Sequence, residues 1–222
     1  QAVDVCMADQ YCYTSPGVDS NVQQSPDWPG GSPNCSGAYG WIADQMRKFQ
    51  KPNSRKPFYV TVETARPLLN EGGARTINLN QIRGAVWAAI RHEARGIMYF
   101  QHNNDPSITF YSLSENVPIR NAVTAINAKI ALLAPVLNTQ TFIYNFNNGT
   151  DTMLKSQGGF AYIFAGIGRG QSVGAKTFTL PPGVNGTSVE VVNESRVISI
   201  TNRSFVDTFA GEYAEHVYKI AI

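Results

Sequence analysis

The spacing of apolar residues changes character once along this chain, near residue 138, and that change limits the folds open to it. Before it, strand-like runs alternate with helical stripes. Strands are expected over Val3–Tyr11, Lys56–Glu63 and Ile97–Gln101. Helices follow each of them, carrying Ala38, Trp41, Ile42, Met46 and Phe49, then Ile82, Val86, Ala89 and Ile90, then Ile119, Val123, Ile126, Ile130 and Leu133. After residue 138 only short strand-like runs occur, separated by turn residues such as Asn147-Asn148-Gly149, Pro181-Pro182-Gly183 and Asn185-Gly186. The first pattern predicts parallel β/α units over 1–138, and the second predicts an antiparallel β-sandwich over 139–222.

Local signals sharpen the boundaries. A long Gly/Pro/Ser/Asn loop is expected from Thr14 to Ser36, and Pro52 and Pro135 are expected to end the first and third helices. Asn78 with Gln81 three residues on reads as a capping box opening the second helix. In the second region strands are expected at Thr141–Phe146, Thr152–Lys155, Phe160–Phe164, Ala175–Leu180, Ser188–Val192, Val197–Ile200, Ser204–Phe209 and His216–Ile220. The glycine-rich run 166–170 lies between two of them and is expected to be a hairpin turn. Gly170-Gln171-Ser172-Val173-Gly174 matches a nucleophile elbow in letters only, because a strand-like run and no helix follows the serine.

Each helix carries one apolar stripe and so covers one face of a sheet, as in a (β/α)8 barrel. A doubly wound sheet is the rival, but it usually places a glycine-rich phosphate turn after its first strand, and none follows Val3–Tyr11. In either fold the reactive groups gather at the carboxyl ends of the strands, which here carry Asp9, Tyr11, Glu63, Gln101 and His102. Glu63 shares a strand face with Tyr59 and Thr61, opposite the aliphatic face of Phe58, Val60 and Val62. It either points into the sheet's mouth for chemistry or pairs with Arg66 or Arg75 at a loop edge. Tyr11 is placed to hold Asp9 ionised or simply to fill the rim, and His102 to bind a sugar hydroxyl or anchor a loop. Trp28, in a Pro/Gly loop, is a candidate stacking platform for a sugar ring.

The charge balance, 18 Lys+Arg against 16 Asp+Glu, gives no electrostatic footprint for nucleic acid, and no apolar run is long enough to span a membrane. The sequence has no metal-ligand spacing and no phosphate loop, so no metal is expected and the common metalloprotease, redox and nucleotide-hydrolysing readings fall away. Cys6, Cys12 and Cys35 leave at least one thiol unpaired within the chain, and a Cys12–Cys35 bridge is open. The start, Gln1-Ala2-Val3-Asp4-Val5, reads as mid-strand, so the chain is expected to be part of something longer. The low charged fraction, 15%, tilts the expected setting to extracellular or virion-associated.

Three stretches carry a family resemblance: Lys56-Pro-Phe-Tyr-Val-Thr-Val-Glu-Thr-Ala-Arg-Pro67, Gln81-Ile-Arg-Gly-Ala-Val-Trp-Ala-Ala-Ile90 and Ala94-Arg-Gly-Ile-Met-Tyr-Phe100. Together they resemble the last part of clan A glycoside hydrolase barrels. Thr179–Ile220 likewise resembles the small β-sandwich that trails such barrels. The resemblance implies a fold class of α/β plus all-β, with the last three β/α units of a (β/α)8 barrel followed by the sandwich. It also implies a retaining glycosidase of cell-surface or cell-wall glycans, with Glu63 as nucleophile, Tyr11 near it and no cofactor, since that chemistry needs only two carboxyl groups. Asp9, Gln101, His102 and Trp28 are the further candidates for contact with the sugar, by their strand-end or loop positions. The acid/base and strands one to five have no counterpart here, and neither Asp9 nor Asp105 stands at the matching position. The missing barrel half is therefore the expected partner, from the same or another chain, with a carbohydrate as substrate or ligand. The alternative is a non-catalytic structural or glycan-binding part of a surface assembly such as a bacteriophage tail.

Overall fold

The computed structural model describes residues 4–28, 30–50, 55–67, 71–104 and 111–222. These form two compact units, Gln1–Ala125 and Ile126–Ile222. In the first, three parallel strands lie side by side in chain order: β1 (Cys6–Ala8), β2 (Phe58–Glu63) and β3 (Gly96–Phe100). Met7 stands opposite Tyr59, Thr61 opposite Met98, and Glu63 opposite Phe100, so these residues share one sheet face. The other face presents Phe58, Val60 and Val62, all buried, and Arg47 of the helix α2 (Ser36–Lys48) lies 5.6 Å over the Phe58 ring. The sheet is thus covered on the aliphatic face, whereas Met7 and Met98 on the opposite face remain 49% and 45% exposed.

The elements form where the local chemistry directs. Asn78 caps α3 (Leu79–Arg91) by accepting from the Gln81 amide at 3.0 Å, while the Gln81 side chain accepts from the Asn78 amide at 2.9 Å. This is the reciprocal cap the sequence predicts. β3 begins at glycine because the Tyr59 ring lies against it; a Cβ there would meet the ring at 2.7 Å.

Several boundaries differ from expectation. β1 is only three residues long, because the chain leaves the sheet after Ala8 and turns at Tyr11–Ser15, where the Ser15 amide donates to the Tyr11 carbonyl at 2.9 Å. The expected loop from Thr14 holds a helix, α1 (Pro16–Gln23), started by Ser15 Oγ accepting from the Val18 amide, with Pro16 in the first turn. Phe49, expected on the apolar stripe of α2, stands at the carboxyl-terminal cap of the helix and is 85% exposed. After the short α4 (Ser112–Glu115), α5 (Val117–Leu137) continues through Pro135 instead of stopping there. Pro52 and Asp105 lie outside the described residues.

The second unit is an antiparallel sandwich. Its strands are β4 (Thr141–Phe142), β5 (Thr150–Gln157), β6 (Phe160–Ile167), β7 (Gly174–Thr179), β8 (Ser188–Val191), β9 (Arg196–Ser199), β10 (Ser204–Phe209) and β11 (Glu215–Ala221). Six of them form one sheet in the order β4-β5-β6-β11-β8-β9, and β7 pairs only with β10. All eight expected strands are present. Strands β5 and β6 close through Gly158-Gly159, both at positive φ (59° and 81°), as a two-residue hairpin requires. The run 166–170 is not a hairpin turn: β6 and β7 belong to different sheets, so it carries the chain from one layer to the other. Ser172 precedes β7, and with no helix after it the elbow geometry is absent.

The sandwich core is aromatic. Phe178 stacks on its cross-strand partner Phe205 at 5.0 Å and 9°, and packs against Tyr218 of β11 at 5.1 Å. Arg196 adds a polar tie, its guanidinium forking onto Asp207 at 2.9 and 2.7 Å while Tyr218 donates to the same carboxylate at 2.9 Å. Among the described residues no disulfide joins Cys6, Cys12 or Cys35, and no helix is long and apolar enough to cross a membrane. Phe178→Ala is expected to lower the unfolding free energy of this unit by about 3–5 kcal/mol in urea denaturation, because it opens a cavity between the two sheets.

Candidate active site

The carboxyl ends of β1 and β2 converge on Glu63, which is 0% exposed. Its Oε1 accepts from the Tyr13 amide at 3.0 Å and from Thr14 Oγ1 at 3.4 Å. Its Oε2 accepts from the Tyr39 hydroxyl at 2.6 Å. Tyr13 and Tyr39 stack at 5.5 Å, and the Tyr13 hydroxyl shares a 2.7 Å hydrogen bond with Ser36 at the start of α2. The Tyr13 carbonyl in turn accepts from Asn34 Nδ2 at 3.0 Å and Arg75 Nε at 2.9 Å. The turn after β1 is therefore fixed from several sides and lies over the carboxylate.

Glu63 forms no ion pair among the described residues. Arg75, one of the two cations expected as a partner, instead pairs with Asp19 at 2.8 Å. Two effects set the state of the Glu63 carboxyl. Removal from water favours the neutral acid, and the donors from Tyr39, Tyr13 and Thr14 favour the anion. Burial dominates, so the carboxyl is pushed up from 4.5 to about 7. The same enclosure raises the Tyr39 hydroxyl and the Cys12 thiol well above their usual ranges, through burial first and the nearby Glu63 charge second.

The other expected site residues distribute unevenly. Tyr11 donates to Asp9 Oδ2 at 2.9 Å and meets Phe100, the register partner of Glu63, edge-on at 5.2 Å. Burial and the Asp9 carboxylate together hold the Tyr11 phenol up. Asp9, Tyr11 and Glu63 thus sit at one end of the sheet. Gln101 is exposed just past β3, and its carbonyl accepts from Ser112 Oγ at 3.0 Å. His102 bridges to Tyr111, with the rings 5.8 Å apart. Trp28 lies apart from this group: it is buried, edge-on to Trp41 at 5.4 Å, and its indole donates to the Gly31 carbonyl at 3.0 Å. A ring enclosed in this way packs the loop and offers no open face to a sugar.

Tyr13, Thr14 and Tyr39 complete the site and were not singled out from sequence. Tyr39 falls between the stripe positions Ala38 and Trp41, and the available signal was its place in the first turn of a helix whose first eight residues are all buried. Among the described residues no cluster of His, Cys, Asp and Glu is suited to hold a metal ion.

No family model matches the sequence, and no curated protein matches it. Solved structures do. The chain is similar to an α-amylase from Anoxybacillus described as a new glycosyl hydrolase subclass (10% identity, TM-score 0.53, 81% of this chain and 41% of that one). It is also similar to an α-amylase from Geobacillus thermoleovorans complexed with acarbose (10%, 0.54, 82% and 42%) and to AmyP in complex with maltose (12%, 0.53, 81% and 44%). At these identities the likeness is one of fold: the chain resembles part of glycoside hydrolase proteins and spans less than half the length of each.

The raised Glu63 carboxyl has a consequence for stability. Below about pH 4.5 both folded and unfolded states hold the proton, and the contribution is complete. As pH rises through about 7 the folded state must carry a buried anion, and the contribution is lost. The loss is on the order of 3 kcal/mol. The melting temperature of Glu63→Gln relative to the unaltered chain is therefore expected to rise between pH 5 and pH 8 in thermal denaturation. A difference independent of pH would contradict the buried carboxyl.

Proposed function

We propose that this chain is the carboxyl-terminal portion of a retaining glycoside hydrolase acting on a cell-surface or cell-wall glycan outside the cell, and that Glu63 is its nucleophile. One observation carries the reading: a carboxylate at the carboxyl end of the middle parallel strand, on the sheet face turned away from the aliphatic packing, held by a tyrosine hydroxyl and a backbone amide. In this reading β1, β2 and β3 are the sixth, seventh and eighth strands of a barrel. The remaining strands would cover the face on which Met7 and Met98 stand exposed.

Glu63 would attack the anomeric carbon, forming a glycosyl ester, while the bond to the leaving oxygen breaks and that oxygen takes a proton from a carboxylic acid ~5 Å away. That acid would come from the preceding part of the protein. Water would then cleave the ester, the same group acting as base. Attack requires one carboxylate oxygen to face the sugar, so the Tyr13 and Thr14 donors on Oε1 must give way while Tyr39 keeps Oε2 oriented.

The complete enclosure of Glu63 favours a second reading, in which the carboxyl only locks the turn after β1 and the protein is a non-catalytic glycan-binding or structural part of a surface assembly, a bacteriophage tail being one such. Turnover separates the two. A protein that includes the preceding strands is expected to release nitrophenol from one member of a panel of 4-nitrophenyl glycosides. Glu63→Gln should remove that activity by on the order of 10⁴-fold or more while circular dichroism stays unchanged. Retained turnover in Glu63→Gln would overturn the assignment.

A further inference from the structure

At the opposite end of β2 and β3 from Glu63, roughly 16 Å along the strands, lies a cleft of about 280 Å³ whose wall carries four cations, Arg47, Arg55, Lys56 and Arg95, against one acid, Glu93. The fold gathers them there. Lys56 lies two residues before β2, and Arg95 directly precedes β3, its amide donating to the Phe58 carbonyl at 2.9 Å. Arg47 comes from the last turn of α2, leaning on Phe58 and on Asp44 at 3.5 Å.

Among the described residues, Arg55, Lys56 and Arg95 make no ion pair. A cleft lined by one sign of charge concentrates the opposite sign. Gln50 adds an independent observation. Its Oε1 accepts from the Lys56 amide at 2.7 Å, which settles the orientation of the side-chain amide. The other end is therefore a donor, and this buried Nε2 has no acceptor among the described residues. Free guanidinium, ammonium and amide donors at one wall match the oxygens of a tetrahedral oxyanion, which arginine binds through two parallel hydrogen bonds. The volume equals about nine waters, more than a bare oxyanion fills.

We propose that this cleft is a binding site for a phosphate or sulfate monoester carried on a group the size of a monosaccharide, separate from Glu63 and independent of its chemistry. The oxyanion would sit among Arg55, Lys56 and Arg95, with Gln50 Nε2 supplying a neutral donor, and the attached group would occupy the remaining space beside Phe58.

Isothermal titration of the full chain with inorganic phosphate, glucose 6-phosphate and glucose tests this. Both anions are expected to bind saturably, the ester more tightly, and glucose not at all, with affinity falling as sodium chloride is raised. The double variant Lys56→Ser/Arg95→Ser should weaken both anions by about tenfold or more with its melting temperature unchanged. Arg55→Ser, at an exposed position, serves the same purpose should the double variant fail to fold. Equal binding of inorganic phosphate and the ester would overturn the part of the proposal that assigns an attached group. Absence of saturable anion binding, or binding that no variant weakens, would overturn the site itself. None of these outcomes depends on Glu63, so the result stands or falls apart from the glycosidase reading.

Discussion

Taking one carboxyl group out of water at the end of β2 requires donors, and the arrangement of those donors organises the amino-terminal unit. Glu63 draws its hydrogen bonds from the turn after β1 and from the first turn of α2. The turn can supply them only because Asn34 and Arg75 hold the Tyr13 carbonyl and Ser36 holds the Tyr13 hydroxyl. Arg75 is also tied to Asp19 on α1. The Glu63 site is thus linked by direct contacts to α1, α2 and the segment leading into α3. Deleting the carboxylate leaves buried donors without an acceptor, and deleting a donor leaves a buried carboxylate less well held; either is more costly than loss of a surface contact.

Much of this was legible in the sequence, where short-range chemistry decides. Alternation along Phe58–Glu63 separated the aliphatic face from the face that bears Glu63, because a strand's side-chain period is fixed by backbone geometry. Asn78 and Gln81 announced a capping box because both of its bonds are local. The eight sandwich strands were visible through their turn residues. The covering of Glu63 was not legible. It depends on a contact between residues 13 and 63 and another between 39 and 63, and no local periodicity encodes either. The helix α1 was missed because its composition, rich in Gly, Ser and Asn, reads as loop. The Ser15-Pro16 pair that starts it was the overlooked signal. The misreading of residues 166–170 has a similar cause: glycine marks a change of direction but does not say which strand the chain meets next.

The two ends of β2 differ in character. At its carboxyl end a carboxyl group is buried among neutral donors, and at its amino end a cleft carries Arg55, Lys56 and Arg95, which make no ion pair among the described residues. Parallel sheets bring the same ends of successive strands together, so the separation follows from topology: β2 and β3 each contribute a loop to both ends.

The central claim, that Glu63 is a nucleophile, is tested most directly by trapping it. A protein that includes the preceding strands, treated with a fluorinated aryl glycoside whose ester intermediate accumulates, is to be digested and its peptides weighed. The account predicts one added sugar on the peptide containing Glu63 and none on the peptide containing Asp9. A sugar on any other carboxylate, or turnover of ordinary aryl glycosides with Glu63 unlabelled, would contradict it.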